Sequence, residues 1–156
     1  MTSNTMSAEQ HLNETLTRLE SALLSPPIAG ELPQWVRTVQ EAASTLTVDL
    51  TTYQRTVWQV QYEEIVKTDP EMSAHVEKLR RADEQLLGQL IEFHEQLHAL
   101  EKAADHVHND EVKLVGQRQR VEESGIALVL AIKKHQHSAA TWLEEAHFRD
   151  RGVAAD

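Results

Sequence analysis

The sequence predicts an all-α chain that folds as a single up-down-up-down four-helix bundle. Three observations carry this. Gly and Pro number only 5 and 4 in 156 residues, too few for a protein built on many tight strand corners. Proline, glycine and Asn/Asp signals cut the chain into four long segments. Each segment repeats apolar residues in alternating steps of three and four, the inward seam of a bundle.

The segments are expected to be helices over roughly 7–25, 33–68, 70–107 and 110–150, one domain spanning 1–156. The first carries Leu12, Leu16, Leu19 and Leu23, and ends at Ser25-Pro26-Pro27-Ile28-Ala29-Gly30. The second carries Val36, Val39, Ala43, Leu46, Leu50, Tyr53, Val57 and Val60. Asp69-Pro70 closes it, with Pro70 suited to the first turn of the next helix. The third carries Met72, Val76, Leu79, Leu86, Leu90, Phe93, Leu97, Leu100, Ala104 and Val107. His108-Asn109-Asp110 breaks the chain again, with Asn109 or Asp110 as the N-cap. The fourth carries Val121, Gly125, Leu128, Ile132, Ala139, Trp142 and Ala146, and Gly152 is expected to end it. Short connections make successive helices antiparallel. The last three helices run to roughly 35–40 residues, or about 50–60 Å. The first is shorter, leaving one end of the bundle with three helices.

Composition narrows the function. There are no cysteines, which removes disulfides, thiolate metal sites and a cysteine nucleophile. Lys plus Arg is 15 against 25 for Asp plus Glu, a formal charge of −10. Such a chain has no basic face for nucleic acid and is repelled by an anionic membrane. No apolar run reaches the length of a membrane span. Residues 1–10 lack the basic and apolar regions of a signal peptide, so a cytoplasmic location is expected.

Two polar residues interrupt the seams. Asp83 falls between Leu79 and Leu86, and His135 between Ile132 and Ala139. Both are therefore expected to point inward. Reflection through the turns puts them at one level, beside Gln59 and Glu63 of the second helix. A buried carboxylate must be paired, protonated or metal-bound. The plainer reading is a structural hydrogen-bond layer, in which Asp83 and His135 meet directly or through one water. The sharper one is a metal held by His135, Asp83 and Glu63.

The last segment reads His135-Gln136-His137-Ser138-Ala139, then Trp142-Leu143-Glu144-Glu145-Ala146, then Asp150-Arg151-Gly152. It resembles the closing segment of bacterial hemerythrin-like (HHE cation-binding) proteins. There the pattern is His-Glu/Gln-x-x-Glu, two apolar residues, Gln/Glu-Glu-Ala, and Asp-Ile-Gly. Gln59 to Glu64 (QVQYEE) is similar to the family's His-x-x-x-Glu-Glu. Leu79 to Leu86 (LRRADEQL) is similar to its Leu-Arg-x-Glu-His-x-x-Leu, and His11 falls where its first-helix His would lie. The resemblance spans almost the whole chain and implies a bundle built around two irons. The departures are Gln59 and Asp83 where the family has His, and Ala139 where it has Glu. Glu63, His135 and His11 are the ligand types retained. The resemblance thus implies an eroded site, with Glu63, Asp83, His135, His11 and Gln59 as vestigial positions. It implies no cofactor, with a single iron or zinc as the alternative.

His94-Glu95-Gln96-Leu97-His98 also fits the zinc-hydrolase pattern His-Glu-x-x-His. Leu97 and Phe93 occupy the seam, so His94 and His98 fall on its flank. A chance match, or adventitious surface zinc, is the plainer reading. His106, His108 and His147 read as solvated. Trp35, Trp58 and Trp142 read as packing residues. Val121 to Ile132 (VEESGIALVLAI) is the most apolar stretch and covers more than one face. It reads as a buried central helix, or as a surface for a homodimer or protein partner. The function expected is a non-catalytic structural, sensory or partner-binding bundle.

Overall fold

The computed structural model describes the backbone of residues 2–106 and 111–155, and the side chains of residues 7–106 and 111–149. All regular elements among the described residues are helical. They are α1 (Thr2–Leu24), α2 (Leu32–Tyr53), a π-helical turn (Gln54–Trp58), α3 (Gln59–Thr68), α4 (Ser73–His106) and α5 (Val115–Ala155), with 3-10 turns at Pro70–Met72 and Glu111–Leu114. The π turn joins α2 and α3 without a break, so the chain forms four long rods. Among the described residues no helix is long and apolar enough to cross a membrane.

The rods share one core. Leu12, Leu16, Leu19 and Leu23 line the inner face of α1, each at most 1% exposed. They meet Val36, Val39, Leu46 and Leu50 from α2, Leu90, Phe93 and Leu97 from α4, and Val121, Leu128 and Ile132 from α5. A fully buried side chain of this size contributes about 1.5–3 kcal/mol through loss of apolar contact with water. α1 packs on α2 and α5, α4 on α2 and α5, and α3 on α5.

The first break is fixed from both sides. Gly30 takes φ 87°, a left-handed conformation that a side chain would strain. The α2 N-cap residue, Glu31, makes no side-chain capping bond. Glu111 supplies one from the other connection: its carboxylate accepts from Gly30 N at 2.9 Å and Leu32 N at 3.3 Å. Trp35 Nε1 donates to the Ser25 carbonyl at 2.9 Å and pins the loop to α2. At the second break Pro70 opens the 3-10 turn, and the Asp69 carboxylate accepts from Glu71 N at 3.3 Å.

Several boundaries differ from expectation. α1 already begins at Thr2, and α5 continues through Gly152 to Ala155. The third break, with Val107, His108 and both expected caps, lies outside the described residues. Val60, expected in the seam, is 54% exposed. The inward positions of the second rod run Leu50, Tyr53, Val57 and then Trp58, Tyr62, Ile65, all buried. The step of five from Tyr53 to Trp58 falls in the π turn, whose extra residue per turn rotates everything after it. Val60 and Gln59 turn outward, and Trp58 and Tyr62 turn inward.

Two glycines test the packing in opposite directions. Gly88 lies in the interior of α4, and a Cβ added there would meet nothing within 4 Å. A Cβ on Gly125 would stand 2.5 Å from Leu23 Cδ1 and 3.1 Å from Phe93 Cε1. Gly88→Ala should stabilise by about 0.5–1 kcal/mol, because it only removes backbone entropy. Gly125→Val should destabilise by about 1–3 kcal/mol through overpacking. Urea unfolding checks both; a stabilising Gly125→Val would refute the close approach of α1, α4 and α5.

Candidate functional site

His135 is the most deeply buried ionisable side chain of α5 among the described residues, at 6% exposure, and Asp83 of α4 faces it at 17%. His135 Nε2 and Asp83 Oδ1 are in direct contact. Tyr62 of α3, fully buried, completes the group. Its hydroxyl donates to Asp83 Oδ1 at 2.9 Å and lies 2.7 Å from His135 Nε2. The phenol has one proton, and Asp83 takes it. His135 Nε2 must then carry a hydrogen of its own, shared between the carboxylate and the phenol oxygen. Three helices thus meet in a closed set of hydrogen bonds, with Asp83 as the common acceptor.

Aromatic rings enclose the group. Trp58 stands edge-on to His135, ring centroids 4.4 Å apart, and Tyr53 stands edge-on to Trp58 at 5.1 Å. Arg80 sits 6.0 Å from the centre of the Tyr62 ring. Gln54 Nε2 donates to the Asp83 carbonyl at 3.4 Å, tying the π turn to α4. Burial drives the Tyr62 phenol pKa far up, and the neighbouring Asp83 charge adds to it. Burial also pushes Tyr53 up to about 12, helped by Glu9 and partly offset by a hydrogen bond from Gln136. Both phenols therefore stay protonated across the physiological range.

The other expected positions lie elsewhere. Gln59 and Glu63 stand on the exposed flank of α3, where Gln59 Nε2 donates to Glu63 Oε1 at 3.3 Å. His11 is exposed on α1, and Ala139 is buried with no donor to offer. The layer expected to combine Asp83 and His135 with Glu63 and Gln59 is built with Tyr62 and Trp58 instead. The donor set is one imidazole, one carboxylate and one phenol, with the imidazole Nε2 already a hydrogen donor. It does not fit a di-iron centre, which needs several imidazoles and carboxylates. Among the described residues no three His, Asp or Glu side chains gather as metal ligands.

His94 has a separate partner. Its Nε2 lies 2.9 Å from the Thr47 hydroxyl, which itself donates to the Ala43 carbonyl at 3.1 Å. His94 Nε2 is thus engaged by Thr47. His98 is exposed.

No protein-family model matches the chain, and neither the curated proteins nor the solved structures contain a significant match to it.

Tyr62 and Trp58 are the site residues that a single seam period misses. Their signal is present in the sequence. Trp58, Tyr62 and Ile65 form a second apolar stripe, one residue out of phase with Leu50, Tyr53 and Val57. The two stripes together, with a slip between them, mark the π turn and the inward side of α3.

The cluster should behave as a unit. Asp83→Leu alone leaves two buried donors without an acceptor and should cost about 2–5 kcal/mol. The triple variant Tyr62→Phe, Asp83→Leu, His135→Leu removes donors and acceptor together and should cost far less. Denaturant unfolding of the set checks this; additive costs would refute the cluster. Alkali should act through the phenols. The folded-state pKa of each tyrosine lies above its ordinary value of about 10. Their contribution to stability is thus complete below that pH and is lost as pH rises through the folded values, about 12 for Tyr53. These are the only 2 tyrosines, so phenolate absorption should appear together with loss of helical ellipticity. Phenolate forming near pH 10 in a fully helical protein, about the value for a free phenol, would show that the rings are not buried.

Proposed function

We propose that this chain is a hemerythrin-like, up-down-up-down four-helix bundle in which a hydrogen-bonded cluster has replaced the di-iron centre. Its role is non-catalytic: structural, sensory or partner-binding. The observation that carries this reading is the Tyr62 hydroxyl between Asp83 and His135, within 2.9 Å of both. It occupies the hydrogen-bonding capacity that a metal would otherwise use. The positions at which the resemblance implies further ligands support the same reading, since Gln59 and Glu63 face solvent and Ala139 carries no ligand atom. Antiparallel packing is supported by links between α1 and its neighbours. Thr15 donates to Asp49 at 2.5 Å, Lys133 pairs with Glu20 at 3.3 Å and Gln136 donates to Asn13 at 3.3 Å. On α5, Leu130 is 60% exposed beside buried Leu128 and Val129, which favours this helix as the face for a second copy or a partner.

Metal analysis of protein purified without an affinity tag tests the reading. The expected result is colourless protein with neither iron nor zinc in stoichiometric amount, and no spectral response to oxygen. Two irons per chain would overturn it, and one metal per chain lost on His135→Ala would establish the single-metal alternative. Light scattering on the same sample tests the α5 face: a monomer mass at micromolar concentration would remove the second copy as its occupant.

A further inference from the structure

A groove of about 570 Å³ runs between α4 and α5, reaching His135 but not Asp83. Its charge is unlike that of the chain. The sequence has 25 acidic residues against 15 basic ones, yet Lys78 from α4 and Lys134 from α5 line this groove and no Asp or Glu does. Neither lysine has an ion-pair partner among the described residues. The helical neighbours explain why. Three and four residues from Lys78 lie Ala74, His75, Arg81 and Ala82; around Lys134 they are Leu130, Ala131, His137 and Ser138. On its own helix neither lysine has a carboxylate three or four residues away.

The remaining surfaces suit an apolar body. Leu79 and Leu86 form part of the wall. At one end His75 and Trp142 stack, ring centroids 4.3 Å apart and planes 25° from parallel, joining the start of α4 to the later part of α5. His135 adds a polar group. Its Nε2 is held by Asp83 and Tyr62, while Nδ1 has no partner among the described residues. Only 6% of the side chain is exposed, so this ring nitrogen has little access to water. The volume lies in the range that holds small organic ligands, about 300–1,000 Å³.

We propose that this groove binds a small organic anion, a carboxylate or phosphate monoester carried on a flat apolar body. Lys78 and Lys134 hold the anionic group from opposite helices. The Trp142–His75 stack and the leucines receive the body. Two unpaired cations lining one apolar cleft favour an anion more strongly than either lysine alone on an open surface.

Isothermal titration of the full-length chain at low salt tests this with three probes: naphthoate, naphthyl phosphate and naphthyl methanol. At least one anion should bind at one site per chain with a Kd below about 1 mM, and the neutral alcohol about tenfold or more weaker. The preferred anion identifies the head group as carboxylate or phosphate. Lys78→Gln and Lys134→Gln should each weaken binding about three- to tenfold, a loss consistent with one charge-assisted contact. Lys133→Gln, next in sequence but paired with Glu20, should leave it unchanged. Circular dichroism confirms that the variants are folded, and surface lysines are safe positions in that respect. The proposal is overturned if neither anion saturates, if the alcohol binds as well as the anions, or if Lys133→Gln weakens binding as much as the groove variants.

Discussion

Burying an imidazole beside a carboxylate removes the hydration of both, at a cost of several kcal/mol unless every polar atom finds a partner. His135 and Asp83 meet this constraint through Tyr62, and the surrounding structure is arranged to deliver that phenol. Asp83 alone would satisfy Nε2. With only 17% of its own side chain exposed, however, the carboxylate needs a further donor on its protein side. The Tyr62 hydroxyl supplies it at 2.9 Å, and because burial and the Asp83 charge both raise the phenol pKa, it remains a donor. The cluster draws one residue from each of α3, α4 and α5, so it also fixes the rotation of these helices about their axes.

That rotation is where the π turn matters. A regular helix through residues 54–58 would keep Leu50, Tyr53, Val57 and Val60 on one line and carry Tyr62 to the flank. The five-residue step brings Trp58 and Tyr62 under α5 and leaves Val60 54% exposed. It has a cost of its own: Trp58 Nε1 is buried with no hydrogen-bond partner among the described residues. In return the indole packs edge-on against His135 at 4.4 Å and helps to enclose the cluster. A π turn at a functional position is common for this reason, since it re-aims side chains without breaking the helix.

The same slip decides how much is legible in the sequence. The four rods are legible because their seams are long, and a seam of Leu12, Leu16, Leu19 and Leu23 leaves no other period. Asp83 and His135 are legible as exceptions to such seams, polar residues at apolar positions. Tyr62 is not, because a single period discards the residues after the slip. The same single period keeps Val60 in the seam, and reflection through the turn together with the resemblance to a metal-binding pattern then sets Gln59 and Glu63 beside Asp83. The groove is illegible for a different reason. Lys78 and Lys134 look like ordinary surface lysines along the chain, and only the pairing of α4 with α5 sets them across one cleft.

His135 is the member shared by the cluster and the groove, which gives the arrangement a direction. Rotation of an imidazole about its outer bond would exchange a ring nitrogen for a carbon at the groove. Here the ring is not free to turn. Nε2 is engaged by Asp83 from α4 and Tyr62 from α3, and the Trp58 indole stands edge-on to the ring. Holding Nε2 in this way fixes where Nδ1 stands. The geometry at the groove therefore depends on residues that do not line it, above all on the five-residue step that places Tyr62. Loss of the Tyr62 hydroxyl would leave the groove's lysines untouched while removing one of the two partners that hold Nε2. The buried cluster and the cationic groove are in this sense one construction, joined through the orientation of a single side chain.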